Sequence, residues 1–244
     1  ILVVWGDIRI SSWFGIFGVI ELPFLISVVF SIFTVLVIIN AFNLIDGIDG
    51  LAATIGIISS LAYGIYFYFF DPNFQHSILA VALSGALLGF LYFNKSPAKI
   101  FMGDTGSMLI GLIMSMLAIE FINTNTHPSS HLYFRSYSAP TLAMSIIFLP
   151  LFDVIRVFSI RMFKGSSPFK PDKNHLHHLL LNIGYSHMKA TAILALFSVF
   201  LIGVAFAMHR RGNYWIGLTL LLLSLLFTWW LYYRSKKKLA QHKM

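Results

Sequence analysis

Long apolar runs recur along almost the whole chain, and they constrain its fold more than any other feature of the sequence. A helix needs about 20 mainly apolar residues to cross a bilayer core of about 30 Å. We predict about seven transmembrane helices, at residues 22–42, 51–70, 78–94, 105–123, 139–160, 190–208 and 213–233. The runs lack the alternating pattern of a membrane β-barrel, and backbone groups in lipid must be paired within each segment. The predicted fold is an all-α polytopic membrane helix bundle, a single integral membrane domain over residues 1–244.

The composition supports this class and indicates an orientation. Hydrophobic residues make up 58% of the chain and charged residues 11%, with a mean hydropathy of +0.81, which lies outside the range of soluble domains. Most of the 17 lysines and arginines fall in connections that follow alternate spans. Because short cytoplasmic loops carry the excess of lysine and arginine, we predict that these connections face the cytoplasm. The chain contains no cysteine, so disulfides and thiolate metal sites are excluded.

Three polar segments interrupt the apolar background, at residues 40–50, 101–107 and 167–178, and we call them the first, second and third polar segments. The orientation derived from lysine and arginine places all three on the cytoplasmic side. Their Asn, Asp and His residues played no part in that assignment. We therefore predict that the three segments form one site.

The first polar segment carries amides and carboxylates at a helical spacing. Asn40, Asn43, Asp46 and Asp49 recur at intervals of three, so they share one helical face as far as the helix persists. Such a stripe at a membrane edge suits a hard divalent cation, or the hydroxyls and phosphates of a substrate. Helix caps and turns are the structural alternative, but capping does not require four such residues.

The second polar segment combines glycines with an aspartate before an apolar run. Gly103 and Gly106 permit close backbone approach, and the free N–H groups at the start of a helix favour a phosphate. Asp104 would then stand where a Mg²⁺ bridges carboxylate and phosphate oxygens. By itself the segment is also an ordinary helix N-cap sequence.

The third polar segment holds His175, His177 and His178 with Lys173. Histidine and lysine together bind pyrophosphate, and histidine exchanges protons near neutral pH. A zinc site is an alternative, although no cysteine or neighbouring glutamate completes the usual patterns. A surface loop with incidental histidines is another. Asp153 and Arg156, three residues apart, form either a structural ion pair or a support for the site.

Taken together, these residues resemble the polyprenyl-phosphate N-acetylhexosamine-1-phosphate transferases of glycosyltransferase family 4, which are integral membrane enzymes. The resemblance covers residues 40–51, 101–107 and 153–178. The His-Leu-His-His sequence that follows Pro-Asp-Lys looks like the branch that uses UDP-N-acetylglucosamine to begin teichoic-acid, O-antigen or related polymers. The phospho-MurNAc-pentapeptide transferase branch is the alternative.

The resemblance implies that the phosphate of undecaprenyl phosphate attacks the β-phosphate of a UDP-N-acetylhexosamine and that UMP leaves. It implies Mg²⁺ as the cofactor, with Mn²⁺ as a substitute, and Asp46 and Asp104 as metal ligands. Asp46, Asp49 and Asp104 would be catalytic. The residues that would bind the substrates are Asn40, Asn43, Gly103, Lys173, His175, His177 and His178.

The resemblance also implies a multi-pass protein of a bacterial inner membrane whose active site faces the cytoplasm, with membrane lipid as a partner, no nucleic acid, and a homodimer as one assembly. Family members carry an Asp-Asp motif and several helices before the first polar segment, and no adjacent aspartate pair occurs in these 244 residues. We therefore expect an N-terminally truncated chain with little activity by itself.

Two other classes of protein remain as alternatives. An ion-coupled membrane transporter also carries acids in apolar helices, but its sites usually lie near the middle of the bilayer between broken helices. Here the acids gather at one edge of the predicted spans. A purely structural membrane subunit gives no reason for three polar segments on one side.

Overall fold

The computed structural model describes residues 2–71, 74–126, 138–165, 167 and 174–241. A β-hairpin of β1 (Ser12–Ile16) and β2 (Val19–Glu21) precedes the helices. The helices of the described residues are α1 (Phe24–Ile45), α2 (Leu51–Phe70), α3 (Gln75–Asn94), α4 (Gly103–Thr126), α5 (Ala139–Ile146), α6 (Phe148–Phe163), α7 (Leu176–Ile183), α8 (His187–Ala207) and α9 (Asn213–Gln241). The predicted all-α polytopic membrane bundle is confirmed.

Six of these helices, α1 to α4, α8 and α9, are long and apolar enough to cross a membrane, and α5 with α6 makes a seventh if the pair counts as one span. That pair is bent by 85°, so the span predicted at residues 139–160 is not one straight helix. Pro150 accounts for the break, because it has no N–H to donate to the carbonyl of Ile146 and its ring would clash there. The hydroxyl of Ser59 donates to this carbonyl instead, at 2.9 Å.

The centre of the bundle is formed by α2 and α4. About two thirds of the apolar stretch of α2 and over half of that of α4 are buried, at 67% and 56%, against 22% in both α3 and α9. Tyr63 and Phe121 pack edge to face between the two central helices, with ring centroids 6.2 Å apart. Large apolar side chains on the outer helices, such as Ile78 and Trp229, are exposed, as expected of surfaces that face lipid.

Successive membrane spans, with α5 and α6 counted as one, alternate in direction, so the connections collect at two ends of the bundle. One end, which we call the site end, carries residues 46–50, 95–102 and 174–186. The opposite end, the hairpin end, carries the β-hairpin and residues 208–212. The hairpin turns at Phe17 and Gly18, both with positive φ, as two-residue turns of this kind require.

Candidate active site

The first and second polar segments meet where α1 ends and α4 begins. The side-chain amide of Asn43, in the last turn of α1, donates to Asp104 Oδ1 and to Ser107 Oγ, each at 3.1 Å. Gly103 opens α4 with a φ of 66°, a left-handed conformation that favours glycine. Asn43 therefore links the first turn of α4 to the end of α1 and orients the Asp104 carboxylate.

A second carboxylate, that of Asp46, lies beside this contact. Asp46 follows the last residue of α1 and is half-buried, whereas Asp104 is exposed in the first turn of α4. Burial raises the pKa of Asp46, and the negative charge of Asp104 raises it further. Two carboxylates that repel each other favour a cation nearby.

The predicted stripe of four polar residues extends only as far as the helix. Asn40 and Asn43 lie in α1, half-buried and less than one turn apart, but α1 ends at Ile45. Asp49 consequently points elsewhere: its Oδ2 accepts from the Ala98 N–H at 3.3 Å and lies 3.3 Å from Nδ1 of His187. The stripe therefore divides: Asn43 and Asp46 lie beside Asp104, whereas Asp49 faces α8.

The contacts of Asp49 hold three chain segments together. Besides its carboxylate contacts, its carbonyl accepts from the Thr191 hydroxyl at 3.2 Å. Partial burial by itself would raise the Asp49 pKa, but hydrogen bonds from Ser96, the Ala98 N–H and His187 lower it below its usual value. Asp49 is thus an ionised connector between the 46–50 turn, the 95–102 connection and α8.

The third polar segment is fastened to α6 by an aspartate and an arginine. Asp153 Oδ2 lies 2.9 Å from Nδ1 of His175, and Asp153 Oδ1 accepts from the Leu176 N–H at 3.0 Å. Arg156 donates to Asp153 Oδ1 at 2.9 Å and also to the carbonyl of Asn174. The structure shows both roles that the sequence leaves open for Asp153 and Arg156: the two residues form an ion pair, and each also holds the histidine segment.

His177 brings the third polar segment against the first. Its imidazole packs on Gly47, where a Cβ atom would overlap the ring. The His177 side chain is buried, and among the described residues neither ring nitrogen has a hydrogen-bond partner. Burial lowers the pKa of His177 to about 3, with the neighbouring His178 as the next cause, so the ring is neutral.

The three histidines form a row next to the carboxylates. The rings of His175 and His177 are nearly parallel with centroids 5.7 Å apart, and the ring of His178 lies 4.3 Å from that of His177. Lys173, the remaining site residue predicted from the sequence, lies outside the described residues. The described members of all three polar segments lie together at the site end, as the sequence predicts.

The donor set around Asp46 and Asp104 fits a magnesium ion better than a zinc ion. Over the described parts of the chain, no group of three or more His, Asp or Glu side chains is placed to hold a metal. Magnesium usually takes one or two carboxylates from the protein and completes its shell with water and substrate phosphate. Two carboxylates near a helix N-terminus match that pattern, whereas a zinc site needs at least three protein ligands.

Two residues of this region were not found by sequence reasoning. His187, in the first turn of α8, contacts Asp49. Asn94, buried at the end of α3, accepts from the Gly50 N–H at 3.0 Å and donates to the Ile100 carbonyl at 2.9 Å. For both His187 and Asn94, the signal available in the sequence was a polar side chain near the site end of a predicted span.

The chain is similar to known proteins over much of its length. The model of glycosyl transferase family 4 matches residues 1–122, which is half of the chain. The decaprenyl-phosphate N-acetylglucosaminephosphotransferase of Mycobacterium tuberculosis (strain CDC 1551 / Oshkosh) is 42% identical over 123 residues, covering 49% of this chain and 30% of the relative. That of Mycobacterium leprae is 36% identical over 159 residues, covering 59% and 39%.

The undecaprenyl-phosphate alpha-N-acetylglucosaminyl 1-phosphate transferase of Escherichia coli (strain K12) is 33% identical over 176 residues, covering 70% of this chain and 45% of the relative. The chain therefore spans less than half the length of these curated relatives.

Proposed function

The chain belongs to glycosyl transferase family 4, and from this premise we propose that it transfers N-acetylglucosamine-1-phosphate from UDP-N-acetylglucosamine to undecaprenyl phosphate. UMP is released, and the lipid-linked sugar starts a cell-envelope polysaccharide. The observation that carries the proposal is the meeting of Asn43, Asp46 and Asp104 with the histidine row at one end of a membrane bundle. The names of the relatives specify this type of transferase and favour neither the phospho-MurNAc-pentapeptide branch nor a transporter.

The transfer forms one bond and breaks one bond. An oxygen of the acceptor phosphate attacks the β-phosphorus of the donor. The bond from that phosphorus to the oxygen shared with the α-phosphate breaks, and that oxygen leaves on UMP. The sugar keeps its bond to the β-phosphate throughout, so the protein has to position two phosphates and balance their charge.

Asp46 and Asp104 are the residues that would hold Mg²⁺, and Asn43 keeps the Asp104 carboxylate in place. When bound, the ion neutralises phosphate charge and aligns the reacting oxygens. The first turn of α4 adds N–H groups that have no partner within the helix, and these favour a phosphate at the same place.

The histidine row is suited to hold the donor. The two nitrogens of His177 are buried and lack partners among the described side chains, and leaving such groups unpaired costs about 1–3 kcal/mol each. A neutral imidazole donates from one nitrogen and accepts at the other. We assign His177 and His178 to the pyrophosphate or sugar of the donor, while His175 is held by Asp153 and supports them.

An apolar groove of about 460 Å³ suits the lipid chain of the acceptor. It runs between α1, the α5–α6 pair and α9, and Phe30, Phe33 and Ile38 line it on α1. Ile38 lies less than two helical turns before Asn43, so the groove leads toward the carboxylates. A chain in this groove places its phosphate near Asp46 and Asp104.

The site end faces the cytoplasm in this proposal. Lys95, Lys99, Lys164 and Lys189 lie at the site end, and the end of α9 adds further basic residues there. This distribution supports the orientation that the lysine and arginine rule gives, and the relatives from bacteria support an inner membrane. The soluble donor and the lipid acceptor then meet at the membrane edge.

The test is UMP release by the protein at its full natural length, purified in detergent, with UDP-N-acetylglucosamine, undecaprenyl phosphate and Mg²⁺. Asp104→Asn removes one proposed ligand charge, and we expect it to lower kcat by about 100-fold or more. Asp7→Asn, the same change in an exposed residue at the hairpin end, serves as the matched control and should retain activity. No UMP release from the unaltered protein, or equal release by Asp104→Asn, would overturn the proposal.

A further inference from the structure

A second apolar cavity lies under the β-hairpin, at the end of the bundle opposite the proposed reaction site. Its volume is about 340 Å³, and we call it the hairpin chamber. Trp13 and Ile16 of the hairpin form one side of it, Ile122 of α4 lies on another, and Met144 of α5 and Phe148 of α6 contribute a third. Nothing in the proposed chemistry at the site end requires a cavity here.

The hairpin chamber adjoins the apolar groove. Phe30, Met144 and Phe148 line both spaces. Met144 and Phe148 stand on either side of the 85° break between α5 and α6. The break therefore brings the groove and the space below the hairpin together at these shared side chains.

The walls of the chamber are fixed by hydrogen bonds and ring contacts. The Phe17 N–H donates to the Tyr214 hydroxyl at 2.6 Å, which ties the hairpin turn to α9. The Thr141 hydroxyl donates to Asn213 Oδ1 at 2.8 Å, which ties α5 to the same end of α9. Trp13 packs edge to face on Phe30 of α1 with centroids 5.1 Å apart. The chamber is therefore part of the folded bundle.

The groove by itself is longer than a short isoprenoid chain. At about 1.5 Å per residue, Phe30 and Asn43 lie about 20 Å apart along α1, which is most of a hydrocarbon core of about 30 Å. An isoprenoid whose phosphate sits at Asp46 and Asp104 fills the groove with its first units. Only a long chain then extends past Phe30 into the chamber.

We propose that the hairpin chamber binds the distal isoprene units of the acceptor and gives the enzyme its preference for long polyprenyl phosphates. The inference rests on the proposed function and extends it from the reacting phosphates to the far end of the lipid. The binding is apolar. It stabilises the complex through the packing contacts that the isoprene chain makes with the walls of the chamber, in proportion to the chain area in contact.

The first test fills the chamber from the hairpin side. Ile16→Trp places a larger side chain on the chamber wall, whereas Ile20→Trp makes the same change on the exposed face of the same hairpin, where Ile20 is 68% exposed. In the protein at its full natural length we measure KM and kcat for undecaprenyl phosphate and for farnesyl phosphate. We expect Ile16→Trp to raise KM for the long acceptor by about tenfold and to leave the short one unchanged, because only the long chain loses its contacts. Ile20→Trp should match the unaltered protein with both acceptors.

The second test identifies the occupant in the unaltered protein. An undecaprenyl phosphate with a photoreactive group at its ω-end should label Trp13, Ile16 or Phe17, and unlabelled undecaprenyl phosphate should compete. A farnesyl phosphate with the same group at its ω-end should not label these residues, because its chain ends in the groove. A phospholipid with the same group at the end of its acyl chain, in the same nanodiscs, is the comparison.

Equal labelling of the hairpin by the phospholipid would show a general lipid-filled space and would overturn the inference. Unchanged dependence on chain length in Ile16→Trp, with UMP still released, would also overturn it and leave the proposed function intact. Absence of UMP release from the unaltered protein with every acceptor would instead reject the proposed function, and the chamber's role with it.

Discussion

The amide of Asn43 lies 3.1 Å from a carboxylate oxygen of Asp104, and this single contact joins two polar segments that are 61 positions apart in the chain. The same amide nitrogen is 3.1 Å from Ser107 Oγ, so the end of α1 is bonded to the first turns of α4 in two places. Because Asp104 is exposed, the contact limits the directions that its carboxylate adopts without burying it. Asn43 is therefore a positioning residue for Asp104 in the proposed site.

We predict that Asn43→Ala lowers kcat by about 10- to 100-fold while changing the free energy of unfolding by only about 1 kcal/mol, because the lost bonds are partly solvated. The matched control is Asn123→Ala, since the Asn123 amide also donates to a carboxylate, that of Glu120 at 3.4 Å, but at the other end of α4. UMP release and thermal unfolding are measured for both. Equal effects of the two variants on kcat would contradict a positioning role for Asn43.

Gly47→Ala should disturb the site by steric overlap with His177. The new Cβ falls on the imidazole, and forcing an extra methyl into a packed place costs about 1–3 kcal/mol. We expect a lower Tm and a lower affinity for the UDP-sugar, because the histidine row shifts away from the 46–50 turn. Gly85→Ala on α3 is the control, since nothing lies within 4 Å of its Cβ position and alanine favours the helix. Adding His177→Ala to Gly47→Ala should restore part of the lost Tm, and failure to do so would argue against the overlap.

Asp46→Asn should stabilise the protein at neutral pH while abolishing transfer. The pKa of Asp46 in the folded protein is raised by burial and by the charge of Asp104, so its ionised form is disfavoured by folding. Removing that charge therefore raises Tm by a few degrees or less at pH 7, and the gain shrinks as pH falls through the raised pKa, where the wild-type carboxyl is already neutral. Added Mg²⁺ should raise the Tm of the unaltered protein but not that of Asp46→Asn. A lower Tm for Asp46→Asn at pH 7 would contradict the electrostatic argument.

Asp49→Asn should have the opposite effect on stability, although it makes the same chemical change three residues later. The pKa of Asp49 is lowered by hydrogen bonds from Ser96, the Ala98 N–H and His187, so the folded protein favours the carboxylate. The stability it contributes is present above the unfolded pKa and is lost as pH falls through the lower folded pKa. We expect Asp49→Asn to lower Tm at pH 7, with a difference from wild type that diminishes at acidic pH. Thermal unfolding of Asp46→Asn and Asp49→Asn over a pH series measures both changes in Tm, which we expect to have opposite signs at pH 7.

The sequence predicted the class of fold and the collection of polar residues at one end, because both follow from where apolar runs stop and where lysine and arginine lie. It predicted less about single side chains. The stripe from Asn40 to Asp49 assumed a helix that continues, whereas α1 ends at Ile45 and Asp49 turns toward α8. The contact of Gly47 with His177 has no periodicity to reveal it, since the two residues lie on elements far apart in the chain. A hydropathy average over about 20 residues does not detect one missing backbone N–H, so it did not predict the break between α5 and α6 at Pro150.

That break gives a final prediction, which concerns Ser59. Its hydroxyl donates to the carbonyl of Ile146, the carbonyl that Pro150 leaves without its usual helical partner, and Ser59 is fully buried. Ser59→Ala should therefore lower the free energy of unfolding by about 1–3 kcal/mol, the cost of an unpaired buried acceptor. Ser115→Ala is the control, because the Ser115 hydroxyl donates to the Leu112 carbonyl within its own helix, at 2.7 Å, and its loss should cost less. If the bend between α5 and α6 connects the groove to the hairpin chamber, Ser59→Ala should also reduce the preference for long acceptors, and Ser115→Ala should not. Similar unfolding free energies for the two variants would show that Ile146 finds another donor.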